Sequence, residues 1–190
     1  MKRYPILSDS EVSQETLEIF NEIDELFGLV PVYYRVLANV PTLVEANWLT
    51  HKKVMITGVL PLQIKELIFL AVARKRQCKY CASIHLTICD MFDVGEENIK
   101  ATLHDISQIK PERVAKLIEL CITHIDDPDG VQLAEYEHLM ELGVSKREIL
   151  EALYATGFAD RSTFLTKILA MDIDQEVIKY LVDNNLSIDK

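Results

Sequence analysis

Apolar residues along this chain recur mostly at three- and four-residue steps, the period of helices with one buried face. Ser8 and Glu11 have the spacing of a capping box, and Val12, Leu17, Phe20, Ile23 and Phe27 follow at three- to five-residue steps until Gly28. A second helix is predicted over residues 42–57, stopped by Gly58. Pro61 suits the first position of a third, "PLQIKELIFLAVARKRQ", and a fourth begins near Cys78. Gly95 restarts a short helix that fades before Lys110, and Pro111 opens another that runs to His124. "DDPDG" is a turn by composition. A helix over 131–142 ends at Gly143, where Ser145 and Glu148 repeat the capping box, and two further helical segments reach about Asn184. No alternating strand pattern of useful length occurs. The pattern predicts an all-α bundle of roughly eight to ten helices. No linker or low-complexity segment divides it, so residues 1–190 read as a single domain.

Composition narrows the setting. A chain of 190 residues can bury a sizeable core without metal or disulfide staples. Twenty Lys and Arg against thirty Asp and Glu give a net charge of −10, which argues against a nucleic-acid partner. "MKRYPILSDSE" reaches acidic residues too soon for a secretory apolar core. The longest apolar run, residues 67–73, is far short of the roughly 20 residues a membrane span needs. A cytoplasmic protein is expected, with no membrane partner. In that compartment a close cysteine pair suggests redox chemistry or metal rather than a structural bridge.

"RQCKYCASIHLTICD", residues 76–90, carries three of the four cysteines and one of the five histidines. On a helix, Cys78, Cys81, His85 and Cys89 share one stripe, but Cys78 and Cys89 are separated by about 16 Å of rise. Four ligands on such a stripe cannot converge on one tetrahedral ion, so no metal site is expected from these residues alone. A redox reading needs less. Cysteines at i and i+3 in a first turn can bridge with small adjustment, and a helix N-terminus favours thiolate. Arg74, Lys75, Arg76 and Lys79 add local positive charge, and His85 stands one turn beyond Cys81 as a base. Cys89 and Cys121 read as core residues.

Glu66 is the other anomaly. It falls on the same face of the third helix as Leu62, Phe69, Leu70 and Ala73. A carboxylate there is either a partly exposed edge residue or a buried group poised for proton transfer, and spacing does not choose between them.

Glu66, eleven residues, Cys78, two residues, Cys81, three residues, His85 resembles the E-x11-C-x2-C-x3-H motif of the AhpD-like group of the carboxymuconolactone decarboxylase superfamily. "GVSKREILEALYATGFADRSTFL" is similar to the second half of its longer, peroxidase-related members, with Phe158 and Arg161 at the aromatic and arginine positions. The resemblance covers most of residues 35–170. It implies an all-helical bundle assembled into a homo-oligomer, a trimer or hexamer, and a thiol-dependent alkyl hydroperoxide reductase, an antioxidant oxidoreductase. By motif position Cys81 attacks the peroxide, Cys78 resolves the sulfenic acid, and Glu66 with His85 relays protons. A hydroperoxide and an external dithiol reductant are the implied partners, and no cofactor is needed. The motif departs at Tyr80, where the best-known member has a second histidine; a phenolic hydrogen bond or packing is the alternative use. Two other functions stand beside the reductase: a decarboxylase-type lyase that does not need the dithiol, and a non-enzymatic redox-responsive or metal-binding protein. His51, His104, His124 and His138 read as surface or satisfied histidines. Trp48, Tyr33 and Tyr34 read as core, with the active-site mouth or a subunit interface as alternatives.

Overall fold

The computed structural model describes residues 3–130 and 132–188. Among them lie ten α-helices and no strand: α1 (Gln14–Phe27), α2 (Val32–Leu37), α3 (Pro41–His51), α4 (Leu62–Lys75), α5 (Lys79–Met91), α6 (Glu96–His104), α7 (Glu112–Asp126), α8 (Leu133–Glu141), α9 (Lys146–Ile168) and α10 (Gln175–Asp183).

α4 forms the centre. Every residue from Lys65 to Ala73 is buried, which is why its apolar run lacks a polar face. α5 and α9 pack along it, with α7 and α6 completing the sheath. Ile68, Leu70 and Val72 are fully buried, and each such side chain contributes roughly 1.5–3 kcal/mol by leaving water.

The turn from α4 into α5 positions the cysteines. Gln77 adopts a left-handed conformation (φ 52°), the Cys78 N–H donates to the Ala73 carbonyl at 2.9 Å, and the Gln77 N–H to Arg74 at 3.0 Å. This is a Schellman closure with glutamine where glycine is usual. It satisfies the last carbonyls of α4 and leaves Cys78 as N-cap of α5.

Several elements depart from the sequence expectation. The Ser8–Glu11 box forms, but on a single 3-10 turn (Asp9–Glu11); Val12 is extended, and α1 starts after Ser13, which accepts the Thr16 N–H at 3.3 Å. The helix predicted to reach residue 57 changes at His51 into a π-helical turn, Lys52–Ile56, closed by the Thr57 N–H on the Lys52 carbonyl. Its end is pinned by Glu151 of α9, whose carboxylate accepts the Val59 and Leu60 N–H groups at 2.5 and 3.2 Å. A Cβ on Gly58 would collide with that carboxylate, which accounts for glycine there. α2, only six residues long, escapes a periodicity argument. The helix expected over 131–142 is observed as Leu133–Glu141, with residue 131 outside the described residues.

Candidate active site

The site is built on α4 and α5 and closed by α9. Glu66 is fully buried, so the edge alternative falls away. α5 runs back along α4 and brings His85 against it, its Nδ1 2.6 Å from Glu66 Oε2. With the carboxylate as acceptor, the imidazole donates from Nδ1 and keeps Nε2 as its free basic atom. The other oxygen, Glu66 Oε1, is buried without a partner among the described residues. Phe69 leans on the His85 ring at 4.6 Å between centroids and is itself backed by Phe158 at 5.5 Å.

The two thiols meet a third residue that no spacing in the sequence indicated. Thr166 of α9 places its Oγ1 3.1 Å from Cys78 Sγ and 3.2 Å from Cys81 Sγ. Its hydroxyl also lies 3.0 and 3.1 Å from the Ser162 and Thr163 carbonyls, which can only accept and so compete with the sulfurs for its one proton. Cys78 Sγ accepts the Cys81 N–H at 3.4 Å, as an N-cap does. The Cys78 thiol is lowered to about 6 because the Cys81 thiol donates to it; Thr166, the Cys81 N–H and the charge of Lys167 add to this, against burial. The Cys81 thiol is raised by the same contact, by burial and by the charge on Cys78. The contact therefore favours the thiolate on Cys78 over the one on Cys81.

The nearby cation differs from the expectation. Arg76 pairs with Asp160 at 2.6 Å and Asp126 at 3.0 Å, and Lys75 pairs with Asp126. Arg74 donates to the Leu103 carbonyl. Lys167 is the residue whose charge bears on Cys78, and it is held by donating to the Arg76 carbonyl at 2.6 Å.

The two cysteines line different spaces. Cys81 and His85 line a cavity of about 90 Å³ walled by Tyr33, Tyr34, Phe69, Ile84 and Phe158, with exposed Met91 at its rim. Cys78 lines a separate groove with Arg74, Gln77, Lys79 and Ile188.

Tyr80 takes the hydrogen-bonding role. Its hydroxyl accepts the Tyr33 N–H at 3.0 Å and interacts with Asp174, which accepts the Val32 N–H at 2.7 Å. It ties α5 to α2 and to the N-cap of α10 rather than standing in for a second histidine. Tyr33, Tyr34 and Trp48 are buried; the two tyrosines line the cavity, while Trp48 donates to Glu22 at 2.7 Å. Arg161 lies 5.0 Å over the Phe158 ring. Cys89 and Cys121 are core residues whose thiols burial pushes up, Cys121 to about 12. His124 is satisfied by the Leu120 carbonyl and the Tyr136 hydroxyl. His51 does not fit its expected role: it is buried, stacks on Trp48 and lines the cavity, and burial lowers it to about 3.

The sequence profile of the carboxymuconolactone decarboxylase family matches residues 41–107, a span that includes Glu66, both cysteines and His85. The chain is similar to this family over that span. Its fold is AhpD-like. An uncharacterized peroxidase-related protein with an alkylhydroperoxidase AhpD core, from Ralstonia eutropha JMP134, superposes with a TM-score of 0.85 at 21% identity over 94% of each chain. A peroxidase-related protein from Silicibacter sp. TM1040 gives 0.83 at 18% identity over 92% of each. A cysteine-to-alanine variant of the debrominase Bmp8, bound to 2,3,4-tribromopyrrole, gives 0.71 at 14% identity over 96% of this chain and 97% of that one. No curated protein sequence matches the chain. Among the described residues no helix is long and apolar enough to cross a membrane.

Proposed function

We propose that the protein is a thiol-dependent hydroperoxide reductase in which Cys78 and Cys81 cycle between dithiol and disulfide. The observation that carries this reading is the shared hydroxyl: two thiols on Thr166, one lowered, with Cys81 alone opening on the cavity that His85 also lines. Cys81 attacks the peroxide oxygen as its proton passes to His85 Nε2. The O–O bond breaks, Cys81 becomes a sulfenic acid, and His85 returns that proton to the departing alkoxide, which leaves as the alcohol. The Cys78 thiolate then attacks Cys81 Sγ, forming the disulfide, and the expelled hydroxide takes a proton from solvent to leave as water. An external dithiol resets the pair from the Cys78 side, where the groove along Gln77 and Lys79 meets that sulfur. Each turnover consumes one peroxide and one dithiol.

One hydroperoxide equivalent is expected to remove two titratable thiols per chain and lower the intact mass by two hydrogens. Cys81→Ser abolishes both changes; if that variant consumes hydroperoxide as fast as the parent, the assignment is wrong.

The aromatic walls of the cavity and the debrominase fold relative favour a second reading, reductive dehalogenation of a small halogenated ring. There Cys81 takes the halogen, the ring carbon gains a proton, and Cys78 expels halide to form the same disulfide. Halide release without peroxide selects this reading.

A further inference from the structure

Away from the thiols, the cavity wall contributed by α3 carries an unused hydrogen-bond acceptor. Asn47 is 5% exposed and lines the cavity, and its Oδ1 has no partner among the described residues. Its Nδ2–H donates to the Tyr33 hydroxyl oxygen at 2.9 Å, which leaves Oδ1 as the free acceptor. Thr87 Oγ1, also buried and on the cavity wall, is unpartnered too. A buried acceptor without a donor costs about 1–3 kcal/mol, which a ligand hydroxyl offsets.

We propose that Asn47 is a specificity-determining residue, and that the cavity selects small, uncharged, largely apolar molecules bearing a hydroxyl group that donates to its Oδ1. His51, one turn along α3, stacks on Trp48 and meets Phe158 edge-on, so the surroundings of Asn47 are aromatic. Lowered to about 3, it is neutral throughout the physiological range and offers no countercharge for a ligand carboxylate. At about 90 Å³ the cavity is smaller than the roughly 150 Å³ that admits benzene, so a ring enters with the flexible Met91 at the rim yielding.

The proposal rests on the dithiol reading for the fate of the ligand but not for its binding. The test therefore uses no turnover. Phenol and toluene, equal in heavy atoms and differing by OH against CH3, are titrated by ligand-observed NMR into the reduced protein. Phenol is expected to bind about tenfold more tightly, the value of one well-placed hydrogen bond. Asn47→Leu removes that preference while toluene binding persists. Tyr33→Phe, which frees the amide to rotate, reduces the preference and serves if Asn47→Leu does not fold. Equal binding of the two probes, binding of neither, or a phenol preference unchanged in the folded variants overturns the proposal. A protein that prefers phenol through Asn47 but consumes no hydroperoxide would instead refute the reductase reading alone.

Discussion

Replacing Thr166 by valine removes one hydroxyl from the space between the two sulfurs and leaves the fold's other contacts in place. The Cys78 thiol sits at about 6 instead of its ordinary 9.0, equivalent to about 4 kcal/mol in favour of the thiolate. That preference comes from the Cys81 thiol, Thr166 Oγ1 at 3.1 Å, the Cys81 N–H at 3.4 Å and the charge of Lys167, working against burial. A hydrogen bond to a charged group contributes roughly 1.5–3 kcal/mol, so losing one of three raises the midpoint to between about 7 and 8. At pH 7 the thiolate fraction falls from about nine-tenths to between roughly a tenth and a half. The assay is the pH profile of iodoacetamide alkylation at Cys78, resolved by peptide mass spectrometry. A Thr166→Val midpoint within about 0.3 pH of the parent would refute the claim that this hydroxyl stabilises the charge.

Linkage supplies a second prediction. Cys78 is lowered on folding, so the unfolded chain binds more protons between about pH 6 and 9; its contribution is full above 9 and lost as pH falls through about 6. Cys81 is raised, so it opposes folding only above 9. The urea stability of the reduced parent over Cys78→Ala should therefore widen from pH 6 to 9, by up to about 4 kcal/mol, and a flat difference contradicts it. Glu66→Gln should slow peroxide consumption about 10²-fold while oxidation of the pair by diamide proceeds as before; parallel loss of both would mean a structural role. Lys65, fully buried, donates to the Val54 carbonyl at 2.7 Å and pairs with Glu151 at 3.1 Å. Lys65→Met should cost about 3 kcal/mol in chemical denaturation, the low end for a broken buried pair because Glu151 keeps its two backbone donors. Tyr80→Phe should lower stability by about 1–3 kcal/mol with little change in turnover, whereas a large loss of turnover would give Tyr80 a part in the chemistry.

Chain order alone specified the all-helical architecture, because repeated apolar steps and capping residues act within one or two turns. It grouped Cys78, Cys81 and His85 for the same reason, since they lie at the cap and along the first turns of one helix, where i, i+3 and i+4 neighbours meet regardless of the rest of the fold. It left Glu66 open, since burial depends on α5 folding back over α4. It assigned the positive charge to Arg74, Lys75, Arg76 and Lys79 by proximity in sequence, whereas ion pairs and a backbone carbonyl engage the first three and Lys167 supplies the field at Cys78. Thr166 lies 88 residues from Cys78, and Asn47 and His51 lie on a helix that the motif does not include. No local pattern reports such contacts, because they exist only once α3, α5 and α9 are packed around α4. Tertiary packing thus decided which thiol is lowered and which raised, which cysteine lines the cavity, and which polar atoms remain there for a ligand.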